Sequence, residues 1–186
     1  MKGKFARCAA LAGVLLCVAV AAEAQAPHLI PPLARGLHER IAGADVIAIA
    51  TVVRIEPGRI ALRSETALRG APPAELAVKR SPLRPPPLAE ADRALFILRG
   101  DRPPYVLVDE PDEIVRFADA REAEALARAL PELLGAGGDA ARISRVYDGW
   151  RRSPSDLLRA LARDGALSLQ ASAAAAASQG TAAAPT

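Results

Sequence analysis

After one short leading helix, the apolar residues of this chain change period near Phe117, and that change limits what it can fold into. Before it they alternate with polar residues or form short unbroken runs; after it they recur every three or four positions. The first pattern belongs to strands and the second to helices. Strands gathered first and helices gathered second predict an α+β chain, not the alternating units of a parallel sheet.

The strand half opens with a short helix over 33–42, where Leu33, Leu37 and Ile41 are spaced four apart after Pro31-Pro32 and stop at Gly43. Residues 46–53 are almost wholly apolar, and Arg54-Ile55-Glu56 then alternates up to the turn dipeptide Pro57-Gly58. Ile60, Leu62, Ser64, Thr66 and Leu68 repeat at period two, with Arg59, Arg63, Glu65 and Arg69 on the opposite face, so a second strand pairs with the first. Residues 75–80 form a third. Four prolines within 81–87 make an extended, solvated connection. Residues 94–98 read as a buried strand, 105–108 as its return, and 114–117 as a last short one. Five to six short antiparallel strands predict a small barrel or sandwich.

In the helical half Ala123, Leu126, Ala127, Leu130, Leu133 and Leu134 share a face, with Pro131 expected to kink or end the helix. Asp139 caps a second helix bearing Ile143, Val146, Tyr147 and Trp150. Ser153-Pro154-Ser155-Asp156 reads as a capping box before Leu157, Leu158 and Leu161, with Asp164-Gly165 closing the segment. Residues 166–186 offer mostly alanine and small polar side chains and read as a disordered tail. The apolar faces of segment 119–165 exceed what so few helices hide from water. The barrel is their expected cover; failing that, Tyr147, Trp150, Leu157 and Leu161 form an interaction surface for a partner.

Lys2, Lys4 and Arg7 precede an uncharged run over 8–22, and Ala22-Glu23-Ala24 stands before Gln25. This is the layout of a cleaved signal peptide, residues 1–24, with the cut between Ala24 and Gln25. The run is too short to span a bilayer, and Leu16 before Cys17 does not suit lipidation, so no stable membrane anchor is expected. The expected location is the periplasm or the exterior. Cleavage removes both cysteines and leaves 21 basic against 20 acidic residues, so the precursor's net charge of +3 falls to about +1. That balance gives no general attraction to nucleic acid, which is not an expected partner. The exported chain must fold without disulfides or thiolate-bound zinc.

Catalytic chemistry has few carriers. His28 and His38 fit no zinc spacing, and a triad of His38 and Asp45 with a serine such as Ser64 lacks the Gly-x-Ser-x-Gly elbow; His38 reads as a surface histidine. Gly135-Ala136-Gly137-Gly138 follows a helix and lacks a phosphate-reaching lysine, so it reads as a hinge. Asp109-Glu110-Pro111-Asp112-Glu113 has carboxylates enough for calcium but not the ligand spacing, and reads as a solvated acidic turn beside Arg99 or Arg116. Arg80, Arg84, Arg93, Arg99 and Arg102 with Phe96 and Tyr105 resemble a groove for single strands, but Phe96 and Trp150 read more simply as core. No catalytic, cofactor-binding or metal-ligating residue is assigned.

Ala44-Asp45-Val46-Ile47-Ala48-Ile49-Ala50-Thr51-Val52, then Ala67-Leu68-Arg69-Gly70, Arg93-Ala94-Leu95-Phe96-Ile97-Leu98-Arg99 and Tyr105-Val106-Leu107-Val108 carry a family resemblance. Over residues 44–117 the chain resembles exported bacterial proteins with a netrin-like domain, the OB-type barrel also found in tissue inhibitors of metalloproteinases. The resemblance implies a small OB-like barrel over 25–118, including the leading helix, followed by helices. It does not imply inhibition through an N-terminal cysteine, since none survives cleavage. The expectation is an exported, non-enzymatic binding or adaptor protein whose partner is another exported protein. A carboxylate-dependent hydrolase and a protease inhibitor acting through loop 81–87 are the alternatives.

Overall fold

The computed structural model describes residues 35–80, 85–109 and 113–182. The expected signal segment, residues 81–84 of the proline-rich connection, residues 110–112 and the last four residues lie outside them. The leading helix α1 covers Leu37–Ala42 and stops at Gly43. Five strands follow: β1 Val46–Glu56, β2 Arg59–Arg69, β3 Glu75–Lys79, β4 Arg93–Arg99 and β5 Tyr105–Leu107. They close into a barrel in the order β1-β2-β3-β5-β4, with β4 returning to β1.

Every neighbouring pair is antiparallel except β3 and β5, which run parallel. The expected all-antiparallel barrel is therefore corrected to a mixed one. A ring of five strands cannot alternate direction all the way round, so one pair has to match. The expected sixth strand, 114–117, reduces to a single bridge between Ala94 and Arg116, supported by Leu95 N–H donating to Val115 and Phe117 N–H donating to Arg93. Three register shifts between β1 and β2 mark bulges, which coil long strands enough for a small sheet to close.

The unbroken apolar runs in β1 and β4 have a direct cause: these strands are buried on both faces. Ala48, Ala50 and Val52 from β1 and Ala94, Phe96 and Leu98 from β4 fill the barrel with Ile60, Leu62, Leu76, Val78 and Tyr105. The alternate residues Ile47, Ile49, Leu95 and Ile97 point outward into a second core, formed with the helices.

Three helices complete that second core: α2 Ala120–Gly135, α3 Ala140–Arg151 and α4 Asp156–Ala182. Asp119 caps α2 by accepting from Glu122 N–H, and Asp139 caps α3 by accepting from Ala141 and Arg142. Pro131 does not end α2. Leu130 and Leu133 on either side of it are both buried, and tertiary burial outweighs the local loss of one backbone hydrogen bond. The cap of α4 lies two residues later than the capping-box reading: Ser155 Oγ accepts from Leu158 N–H, while Ser153 Oγ accepts from Ser155 N–H.

Nor does α4 stop at Asp164-Gly165. It continues through residue 182, so the expected disordered tail is helical over 166–182. Ser168 is buried, Leu169 packs on the helical core and Ser172 Oγ donates to Glu39 Oε1 of α1, which gives the first turns past Gly165 tertiary partners. Alanine has the highest helix propensity of any residue and carries the exposed turns beyond them.

Candidate functional site

The helical residues singled out from sequence as a partner surface are used inside the molecule. Tyr147, Trp150 and Leu161 are buried and Leu157 is half-buried, all in or against the core that joins the helices to β1 and β4. That reading as an exposed interaction surface is corrected: the outward apolar residues Ile47, Ile49, Leu95 and Ile97 supply the cover. Trp150 keeps only 4% of its surface exposed, and its indole N–H has no hydrogen-bond partner.

One wall of the barrel is thus occupied by helices, and the wall built by the turn-proximal part of β1 with β2 and β3 is open. Its composition follows from register. Ile60 and Leu62 of β2 and Leu76 and Val78 of β3 point into the barrel, so Arg59, Ala61 and Arg63 face outward beside Lys79, Ala77 and Glu75. Reading across the strands, one row runs Glu56, Arg59, Lys79, Val106; the next runs Arg54, Ala61, Ala77; the third runs Thr51, Arg63, Glu75.

Two alanines therefore form a low floor between charged rows. Arg59, Arg63 and Lys79 are exposed and make no ion pair among the described residues, whereas Arg54 pairs with Glu56. Arg59 and Lys79 stand directly opposite each other, a like-charge pairing that costs stability in a sheet. Among the described residues, two of the three exposed large hydrophobics, Val106 at 48% and Val53 in the β1 bulge at 42%, border the same wall. Alternation alone puts Arg59 and Arg63 on the outward face of β2; the opposition of Arg59 to Lys79 and the neighbouring Val106 depend on the register between strands.

A second polar cluster lies at α1. Arg35 bonds Glu113 at 2.7 Å and the Val108 carbonyl, and buried Arg40 lies 3.2 Å from the fully buried Asp109 carboxylate while donating to the Glu113 carbonyl. Asp109 is therefore not in a solvated turn near Arg99 or Arg116. Arg99 instead donates to the Gly43 carbonyl, and Arg116 to that of Pro87. Burial raises the Asp109 carboxyl to about 6, only partly countered by the Arg40 charge. A raised carboxyl is what hydrolytic chemistry asks for, but this one is sealed, with no exposed side-chain surface for a substrate to meet. Among the described residues no group of three potential metal ligands occurs.

His38 is half-buried rather than on the surface. Its backbone N–H donates to the Tyr147 hydroxyl at 3.2 Å, and the hydroxyl lies 3.0 Å from Nδ1. The hydroxyl thus meets both the backbone and the ring of His38, which ties α1 to α3 at this point. Burial depresses the His38 pKa, against the opposing pull of Glu39. Asp45 is engaged elsewhere, accepting from Gly100 N–H at 2.8 Å, so no His38–Asp45 dyad exists. Arg93 pairs with Glu65, and Phe96 and Tyr105 are buried in the barrel, which removes the groove-and-platform reading. Gly137 and Gly138 both take positive φ in the turn between α2 and α3.

No protein-family model, no curated protein and no solved structure matches this chain.

Proposed function

We propose that this chain is an exported, non-enzymatic binding or adaptor protein that holds another exported protein on the open wall of its barrel. The observation that carries the reading is the asymmetry of the barrel: helices cover the outer residues of β1 and β4, while the opposite wall combines an alanine floor, unpaired cations and exposed valine. Five-stranded OB-type barrels commonly take ligands on the face of strands 2 and 3. Fold alone does not fix function, so the side chains on that face carry the argument.

Export rests on the basic head, the uncharged run and Ala22-Glu23-Ala24. Among the described residues no helix is long and apolar enough to cross a membrane. Intact mass of the exported form tests the address: a chain beginning at Gln25 is expected, and one retaining residues 1–24 contradicts it. For the wall, Ala61→Trp and Ala77→Trp together fill the floor without entering the barrel. Quantitative affinity capture is expected to lose the partner retained by the unmodified protein, at unchanged melting temperature. Undiminished retention places the partner elsewhere.

A further inference from the structure

We infer that the occupant of the open barrel wall is an extended acidic polypeptide segment, lying over Ala61 and Ala77 with its carboxylates on Arg59, Arg63 and Lys79. This rests on the proposed role of that wall and adds the chemistry of the partner. Counting Arg54, Arg59, Arg63 and Lys79 against Glu56 and Glu75, the wall carries two positive charges in excess, whereas the whole exported chain carries about one. Among the described residues Arg59, Arg63 and Lys79 make no ion pair, although Glu56 and Glu75 stand in register with Arg59 and Arg63. Exposed unpaired cations steer an oppositely charged partner and set its register.

The shape narrows the class. An extended chain places alternate side chains on one side about 7 Å apart, so its acids can reach Arg59 and Lys79 on one side of the alanine floor and Arg63 on the other. The floor admits a backbone closely because neither Ala61 nor Ala77 projects beyond Cβ. Val106 beside Lys79, and Val53 in the bulge, add apolar contacts that a polypeptide can match. Single-stranded nucleic acid fits less well. It needs aromatic platforms, and the barrel's Phe96 and Tyr105 are buried inside it.

The test is fluorescence anisotropy of the purified protein with labelled (Glu-Ala)5, (Gln-Ala)5 and dT10, together with the NMR signals of the Ala61 and Ala77 methyls. The acidic peptide is expected to bind, to shift both methyls, and to bind at least tenfold more weakly to the variant Arg59→Glu/Arg63→Glu. Lys79→Gln, a milder change, is expected to weaken binding severalfold at unchanged melting temperature. Equal binding of (Gln-Ala)5 keeps the wall as a binding face and overturns its preference for acid. Tighter binding of dT10 overturns the polypeptide occupant. If no probe binds and neither methyl moves, the wall reading falls as well.

Discussion

The ring of Tyr147 in α3 occupies the space that a side chain at position 165 of α4 would need: a Cβ built on Gly165 overlaps the ring and its hydroxyl. Gly165 is therefore not a helix stop but the point of closest approach between two helices. A glycine inside a helix costs about 1 kcal/mol relative to alanine. Here that cost permits the contact, which also sets the Tyr147 hydroxyl against His38 of α1.

Gly165→Ala is accordingly expected to destabilise the protein despite better helix propensity, by about 1–3 kcal/mol, as overpacking does. Urea denaturation measures this. A stabilised variant shows that the helices do not approach as described.

Trp150→Ala is expected to cost about 3–5 kcal/mol, the usual effect of removing a large buried aromatic. Trp150→Phe is expected to cost much less, because the indole N–H gives up no hydrogen bond. Emission from this single tryptophan should be that of a buried indole in the folded monomer. Water-exposed emission contradicts the burial of α3 against the barrel.

The pH dependence of stability has two opposing parts. Asp109 titrates near 6 when folded against 3.8 in the unfolded chain, so its favourable contribution is complete below about 4 and lost as pH rises through 6. The span corresponds to an order of magnitude of 3 kcal/mol. His38 acts the other way: its folded pKa lies below 6.5, so its contribution is present above 6.5 and lost as pH falls through the depressed value. Denaturation between pH 4 and 7.5 separates them. Relative to the unmodified protein, Asp109→Asn should remove the loss of stability on raising pH, and His38→Gln the loss on lowering it. Unchanged profiles in both variants contradict the description of α1.

Removing residues 173–186 is expected to lower the helical circular dichroism signal while leaving the melting temperature within about 2 °C, because the alanines from 173 to 177 are exposed. Removing 166–186 is expected to do more, since it takes Ser168 and Ser172 away from α1 and the helical core. Equal effects of the two deletions would show that the last turns dock.

Much of this was legible in the chain itself. Alternation in β2 and β3, the turn at Pro57-Gly58 and the cap at Asp139 are local signals, each a matter of a few neighbouring residues. So is the apolar face of Ile143, Tyr147 and Trp150, although periodicity does not say what covers it. The misreadings share one cause. Helix beyond Gly165 and the burial of Asp109 on Arg40 are both decided by partners far away in sequence. No local pattern encodes them. The open wall belongs to the same class, since its rows emerge only when three strands come into register.

The central claim is that partners meet the β2–β3 wall and not the helices, and site-specific photocrosslinking in the native host tests it most directly. A photoreactive residue replaces Ala61 in one version and half-buried Leu157 in the other. A discrete adduct from position 61, lost when Arg59→Glu and Arg63→Glu are added, is the expected result, with none from position 157. An adduct from position 157 and none from position 61 would contradict it, returning the partner surface to the helices.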